Sequence, residues 1–166
     1  MAKLSRNGLK VLKAVHLLAI AGWFGGGLTA NLLVYKTGAL NPESSLSTTL
    51  EIISTIDTLL VPLCALLTVL TGIVYGAFTH WGFFRQAWIV IKWLITILVV
   101  ASGAVFTGKY LGIMGGLAVQ LGHAALQNPE FIAVAKTNQI LGLVQLVCLF
   151  IAMVLSIWKP GAKRLD

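Results

Sequence analysis

Charge is what this sequence has little of. Only 10% of its 166 residues are charged, against about 25% in soluble domains. Acidic residues are scarcer still, with five Asp and Glu beside twelve Lys and Arg. With 58% of the chain hydrophobic, this balance excludes an ordinary soluble enzyme or binding module. Cysteine is nearly missing as well. Cys64 and Cys148 fall inside apolar stretches at unrelated local spacing, which excludes a disulfide framework or a paired redox motif and leaves both as small buried hydrophobes. Copper movement usually recruits soft sulfur, and here only these two thiols and the thioethers of Met1, Met114 and Met153 supply it. The net charge of +7 does not point to nucleic acid. Most of the excess flanks apolar spans, with Lys3, Arg6, Lys10 and Lys13 before the first and Lys159, Lys163 and Arg164 after the last, where anionic headgroups account for it.

What the chain has is four long apolar blocks, each able to cross a hydrocarbon layer of roughly 30 Å as a helix. The expected architecture is all-α, an integral membrane four-helix bundle with helices at approximately 10–35, 42–79, 86–110 and 129–158. The first apolar run, Val11 to Tyr35, is too long for a signal-peptide core and reads as a retained helix. Asn41-Pro42-Glu43 reads as a capped start for the second helix, and Pro62 predicts a bend within it. Trp81-Gly82 breaks the pattern before the third. Residues 111–127 are glycine-rich and weakly amphipathic, consistent with an outer loop or with a re-entrant or surface-lying segment. Asn128-Pro129-Glu130 then repeats the earlier start signal, although the two halves do not otherwise align.

The basic flanks set the expected orientation, with both termini and the Trp81–Arg85 turn on the cytoplasmic side of a bacterial cytoplasmic membrane. His16, His80 and Lys92 then belong near the cytoplasmic face and His123 near the outer one. The outer half reads as capping and loop.

His16 lies one to two turns into the first helix, and Lys92 lies at a similar depth in the third. Opposed across a bundle, an imidazole and a neutral amine can hold a planar metallocycle. The competing role is interfacial, with Lys92 snorkelling to the headgroups and His16 hydrogen-bonding at the same rim. His80, at the end of the second helix, is an alternative axial ligand or an ordinary helix-end histidine. Trp23 shares a side of its helix with His16, and Trp88 shares one with Lys92 four residues on. These faces suit aromatic walls beside polar ligands. Gly22, Gly25, Gly26 and Gly27 clear one surface for a neighbouring helix or a flat ligand.

The stretch His16-Leu17-Leu18-Ala19-Ile20-Ala21-Gly22-Trp23-Phe24-Gly25-Gly26, ending in Leu33-Val34-Tyr35, resembles the first helix of the oxygen-independent membrane protoporphyrinogen oxidase family and its copper-resistance D-type relatives. Trp88-Ile89-Val90-Ile91-Lys92 is similar to that family's third-helix motif. The resemblance implies a haem axial position at His16 and a companion haem-binding or catalytic role at Lys92. Two family residues are missing. An arginine expected shortly before the final tyrosine is replaced within Ala30-Asn31-Leu32-Leu33, and Val90 stands where a histidine falls between the tryptophan and the lysine. The chain also resembles, in size and four-helix layout, small bacterial haem-sensing or haem-sequestering membrane proteins. The leading expectation is a membrane protein that binds haem b on its cytoplasmic side, for haem tolerance or electron transfer. Protoporphyrinogen oxidation or quinone-coupled electron transfer is the enzymatic alternative. Copper transport, or an accessory subunit built on the glycine-rich faces, stands behind both. Haem or porphyrin and membrane lipid are the expected partners, with a homodimer as the symmetry expectation.

Overall fold

The computed structural model describes residues 5–38, 45–79 and 82–160. Four helices are long and apolar enough to cross a membrane: α1 (Arg6–Thr37), α2 (Leu46–Phe78), α3 (Ala87–Gln127) and α4 (Pro129–Trp158). No strand occurs among the described residues. Four crossings return the chain to the side it started from, so the basic flanks of α1 and α4 share one face. Side chains such as Leu18, Leu98 and Val119, 73%, 68% and 77% exposed, point outward. In water such a surface would be a liability, whereas in hydrocarbon it is the natural solvent-facing side.

Local signals explain the helix starts. The Ser5 hydroxyl accepts from the Gly8 amide at 3.1 Å to open α1, and Ser45 does the same for Thr48 at 3.2 Å at the start of α2. The proposed start at Asn41-Pro42-Glu43 lies outside the described residues. Its counterpart works as expected: Asn128 Oδ1 accepts from the amides of Glu130 at 2.8 Å and Phe131 at 3.3 Å, with Pro129 in the first turn of α4.

Just before Pro62, where a bend is expected, the helix has a π-helical stretch, Ile56–Leu60, closed by a bond from the Val61 amide to the Ile56 carbonyl. Pro62 has no N–H with which to continue the α-helical ladder, so a wider turn just before it is the natural accommodation. A second π-helical stretch, Gly103–Thr107, interrupts α3.

The third helix does not stop near residue 110. It runs on as α-helix to Leu121 and as 3₁₀-helix from Gly122 to Gln127, so residues 111–127 form neither a loop nor a re-entrant segment. The reason is packing. Leu111, Met114 and Ala118, on one face of the extension, are buried with Leu46, Leu50 and Ile53 of α2 and with Val34 and Phe131. Gly122, at φ +56° and ψ −136°, supplies a positive-φ backbone, rarely adopted by side-chain-bearing residues, at which the α-helical part ends.

The half nearer the basic flanks is arranged differently. α1 packs along the later part of α2, while α3 packs along α4, and α1 also contacts α4. Gly22 and Gly26 allow the first approach: a Cβ at Gly22 would fall 2.5 Å from Cys64 Sγ, and one at Gly26 would fall 3.2 Å from Val61. Trp23, Cys64, Ala65, Val99 and Leu149 form the apolar cluster at mid-depth. Between the α1–α2 and α3–α4 pairs, on the basic side of that cluster, the bundle opens.

Candidate functional site

The opening is a cavity of about 610 Å³, within the range of roughly 300–1,000 Å³ typical of small-molecule sites. All four helices line it. α1 contributes Lys13, His16, Ile20 and Trp23, and α2 contributes Thr68, Gly72 and Tyr75. From α3 come Trp88, Lys92, Trp93 and Thr96, and from α4 Met153 and Ser156, with Lys159 just beyond its end. Side chains bridge the gap between α2 and α3. The Trp93 ring reaches the Gly72 position, and Phe83 covers Gly76, with the Phe83 and Trp93 rings 6.1 Å apart.

His16 is constrained by two neighbours on α2. Its Nδ1 lies 2.6 Å from Thr71 Oγ1, and that hydroxyl is itself 2.6 Å from the Leu67 carbonyl and 3.0 Å from the Thr68 carbonyl. A hydroxyl has one proton. With that proton given to one of the two carbonyls, which only accept, the imidazole donates its Nδ1–H to Thr71. The neutral ring then keeps its lone pair on Nε2, the tautomer found where a histidine ligates a metal and its other nitrogen is held by an outer partner. The Tyr75 ring packs edge-on at 5.8 Å between centroids and restricts the imidazole further.

Lys92 places Nζ 5.8 Å from the centre of the Trp88 ring, the cation–π distance that the four-residue spacing anticipates. It shares the cavity wall with His16. Three lysines and a histidine line the cavity, and among the described residues no aspartate or glutamate does. The remaining wall is aromatic and aliphatic. Such a site suits a flat, largely apolar molecule bearing negative charge at its edge.

Four of the five residues singled out in the sequence, His16, Trp23, Trp88 and Lys92, therefore share one cavity. His80 lies outside the described residues. His123 sits in the 3₁₀ segment at the far end of α3, remote in the fold from this cavity, with its Nδ1 buried and lacking a hydrogen-bond partner. Thr71 and Tyr75 escaped the sequence reading, and Met153 entered it only as a soft sulfur donor. No motif marks them, and they become visible only when α2 and α4 face His16. Cys64 and Cys148 are free thiols at mid-depth, and among the described residues no three of His, Cys, Asp and Glu converge as a metal-holding group.

Fold and cavity together define a polytopic membrane protein with a ligand-sized chamber opening at its basic end. The chain belongs to the family described as "Predicted integral membrane protein (DUF2269)", whose model matches residues 10–160. No curated protein and no solved structure matches it.

Proposed function

We propose that the chamber binds haem b, with His16 as an axial ligand, and that the protein holds haem at the cytoplasmic side of a bacterial membrane for tolerance or electron transfer. The observation that carries this reading is the His16–Thr71 pair, which presents a ligand-ready Nε2 at the wall of an apolar chamber. The residues present fit the group. Trp23, Tyr75, Trp88 and Trp93 supply faces for a macrocycle, and Lys13, Lys92 and Lys159 supply positive charge for its propionates. Lys92 fits a companion role, as a ligand when neutral or as a propionate partner when charged. Bound haem would supply a one-electron iron couple whose potential follows its axial ligands and burial. The chain's own contribution is to orient the imidazole through Thr71 and to exclude water with its aromatic wall. Orientation with the basic flanks inside follows from the positive-inside rule.

Titration of the purified protein with haemin, metal-free protoporphyrin IX and anionic lipid separates the possibilities. Haemin should bind one per chain with a Soret band displaced in His16→Ala and weakened in Lys92→Ala. Equal affinity for haemin and metal-free porphyrin, with spectra unchanged in both variants, would remove iron ligation from the site. Rescue of a strain lacking its porphyrinogen oxidase would move the assignment to the enzymatic alternative, which draws on the same chamber.

A further inference from the structure

A second cavity, of about 50 Å³, lies on the other side of Trp23 and Leu149, which line both chambers. Its polar lining is Asn31, Asp57, Thr107, Asn138 and Gln145, one or two from each helix. Both π-helical stretches serve it. Ile56–Leu60 carries Asp57 and Gly103–Thr107 carries Thr107, so the α-helical ladder is interrupted in each span where it delivers an oxygen to this space. Irregular backbone at membrane depth is tolerated where it lines a cavity, and π-helical turns recur at functional sites.

The Asn31 amide nitrogen donates to the Gln139 carbonyl at 3.1 Å, which fixes the orientation of the amide because a carbonyl only accepts. Gln145 Nε2 donates to Ser102 Oγ at 2.9 Å, and Ser102 spends its own proton on the Val99 carbonyl at 3.0 Å. In both side chains one N–H is committed, which sets the orientation of the amide, and the carbonyl oxygen has no hydrogen-bond partner among the described residues. Asn138, only 6% exposed, has a buried Oδ1 with no hydrogen-bond partner, and so does Thr107 Oγ1. Buried polar atoms without partners are rare, and several around one cavity point to a missing ligand. The fifth group, Asp57, is a carboxylic acid within a membrane span, and among the described residues no basic side chain lines the space.

We propose that this cavity is an oxygen-donor site for a small monovalent cation of the sodium class, with Asp57 as its charge partner. Oxygen-only donors select hard cations. One carboxylate balances one positive charge, whereas a divalent ion would leave net charge in the bilayer. The volume admits a small ion with a water or two. The site is separate from the haem chamber and stands without it.

The test is thermal unfolding of the full-length protein in detergent, titrated with sodium chloride at constant ionic strength made up with choline chloride. Wild-type protein should be stabilised saturably by sodium, and more weakly by potassium. Asp57→Asn, which keeps the shape and removes the charge, should abolish the response. Thr107→Val, which removes one neutral ligand, should weaken apparent sodium affinity by roughly tenfold. His16→Ala should respond as wild type does, which separates this site from the other chamber. Identical melting of wild type in sodium and choline overturns the proposal. So does a sodium response that survives in Asp57→Asn or, if that variant does not fold, one left unchanged in Thr107→Val. A response flat in sodium with Asp57→Asn more stable than wild type would identify a protonated carboxyl with water instead.

Discussion

Gly142 lies on α4 directly under the Asn31 amide of α1. A Cβ built there collides with Asn31 Nδ2, and its other close neighbours are also atoms of Asn31. Gly142→Ala must therefore expel the amide, which breaks its bond to the Gln139 carbonyl. Overpacking costs about 1–3 kcal/mol and the lost hydrogen bond about 0.5–1.5 kcal/mol. Against these, alanine gains roughly 1 kcal/mol over glycine within a helix. The net expectation is a destabilisation of about 1–3 kcal/mol. The sign should reverse in the Asn31→Ala background, because the three atoms nearest the new methyl group all belong to Asn31 and the two nearest are lost on truncation. There Gly142→Ala should be neutral or stabilising by up to about 1 kcal/mol. Denaturant unfolding of the four proteins of the cycle in detergent reads the coupling directly. Additive effects, with Gly142→Ala equally harmful in both backgrounds, would show that α1 and α4 do not meet through this pair.

Thr71→Val keeps the shape of the side chain and removes the acceptor for His16 Nδ1–H. Haemin affinity should fall by roughly ten- to a hundredfold, as for other outer partners of metal-bound histidines, and a wild-type titration curve would separate Thr71 from ligation. Asn128→Ala removes the oxygen that satisfies two α4 amides and should cost about 1 kcal/mol in unfolding experiments. Asn128→Asp should restore most of that stability, and an Asp variant as weak as the Ala variant would assign the loss to something other than capping.

Much of the fold was legible because lipid imposes a strong rule. Spans must be long, apolar and helical, and the four apolar blocks obey it. Residues 111–127 were illegible for the opposite reason. Gly112, Gly115 and Gly116 lower helix propensity, and only the burial of Met114 and its neighbours against Leu50 and Ile53 holds the helix together. The reading of the outer half as capping and loop failed with it, since Asp57, Asn138 and Gln145 sit at separate points in the sequence and meet only through packing. At the inner site the periodicities of His16 with Trp23 and of Trp88 with Lys92 were visible from spacing. The hydroxyl that fixes the imidazole was not, because Thr71 lies on a different helix, 55 positions away.

The dithionite-reduced minus oxidised absorption spectrum of the membrane-extracted protein, recorded for wild type and His16→Ala, bears most directly on the chamber. Wild type should show a Soret band that shifts on reduction, with the variant's spectrum lost or displaced. A wild-type protein that is colourless and takes up no added haemin, or a His16→Ala protein with an unchanged spectrum at full haem occupancy, would contradict His16 ligation of haem.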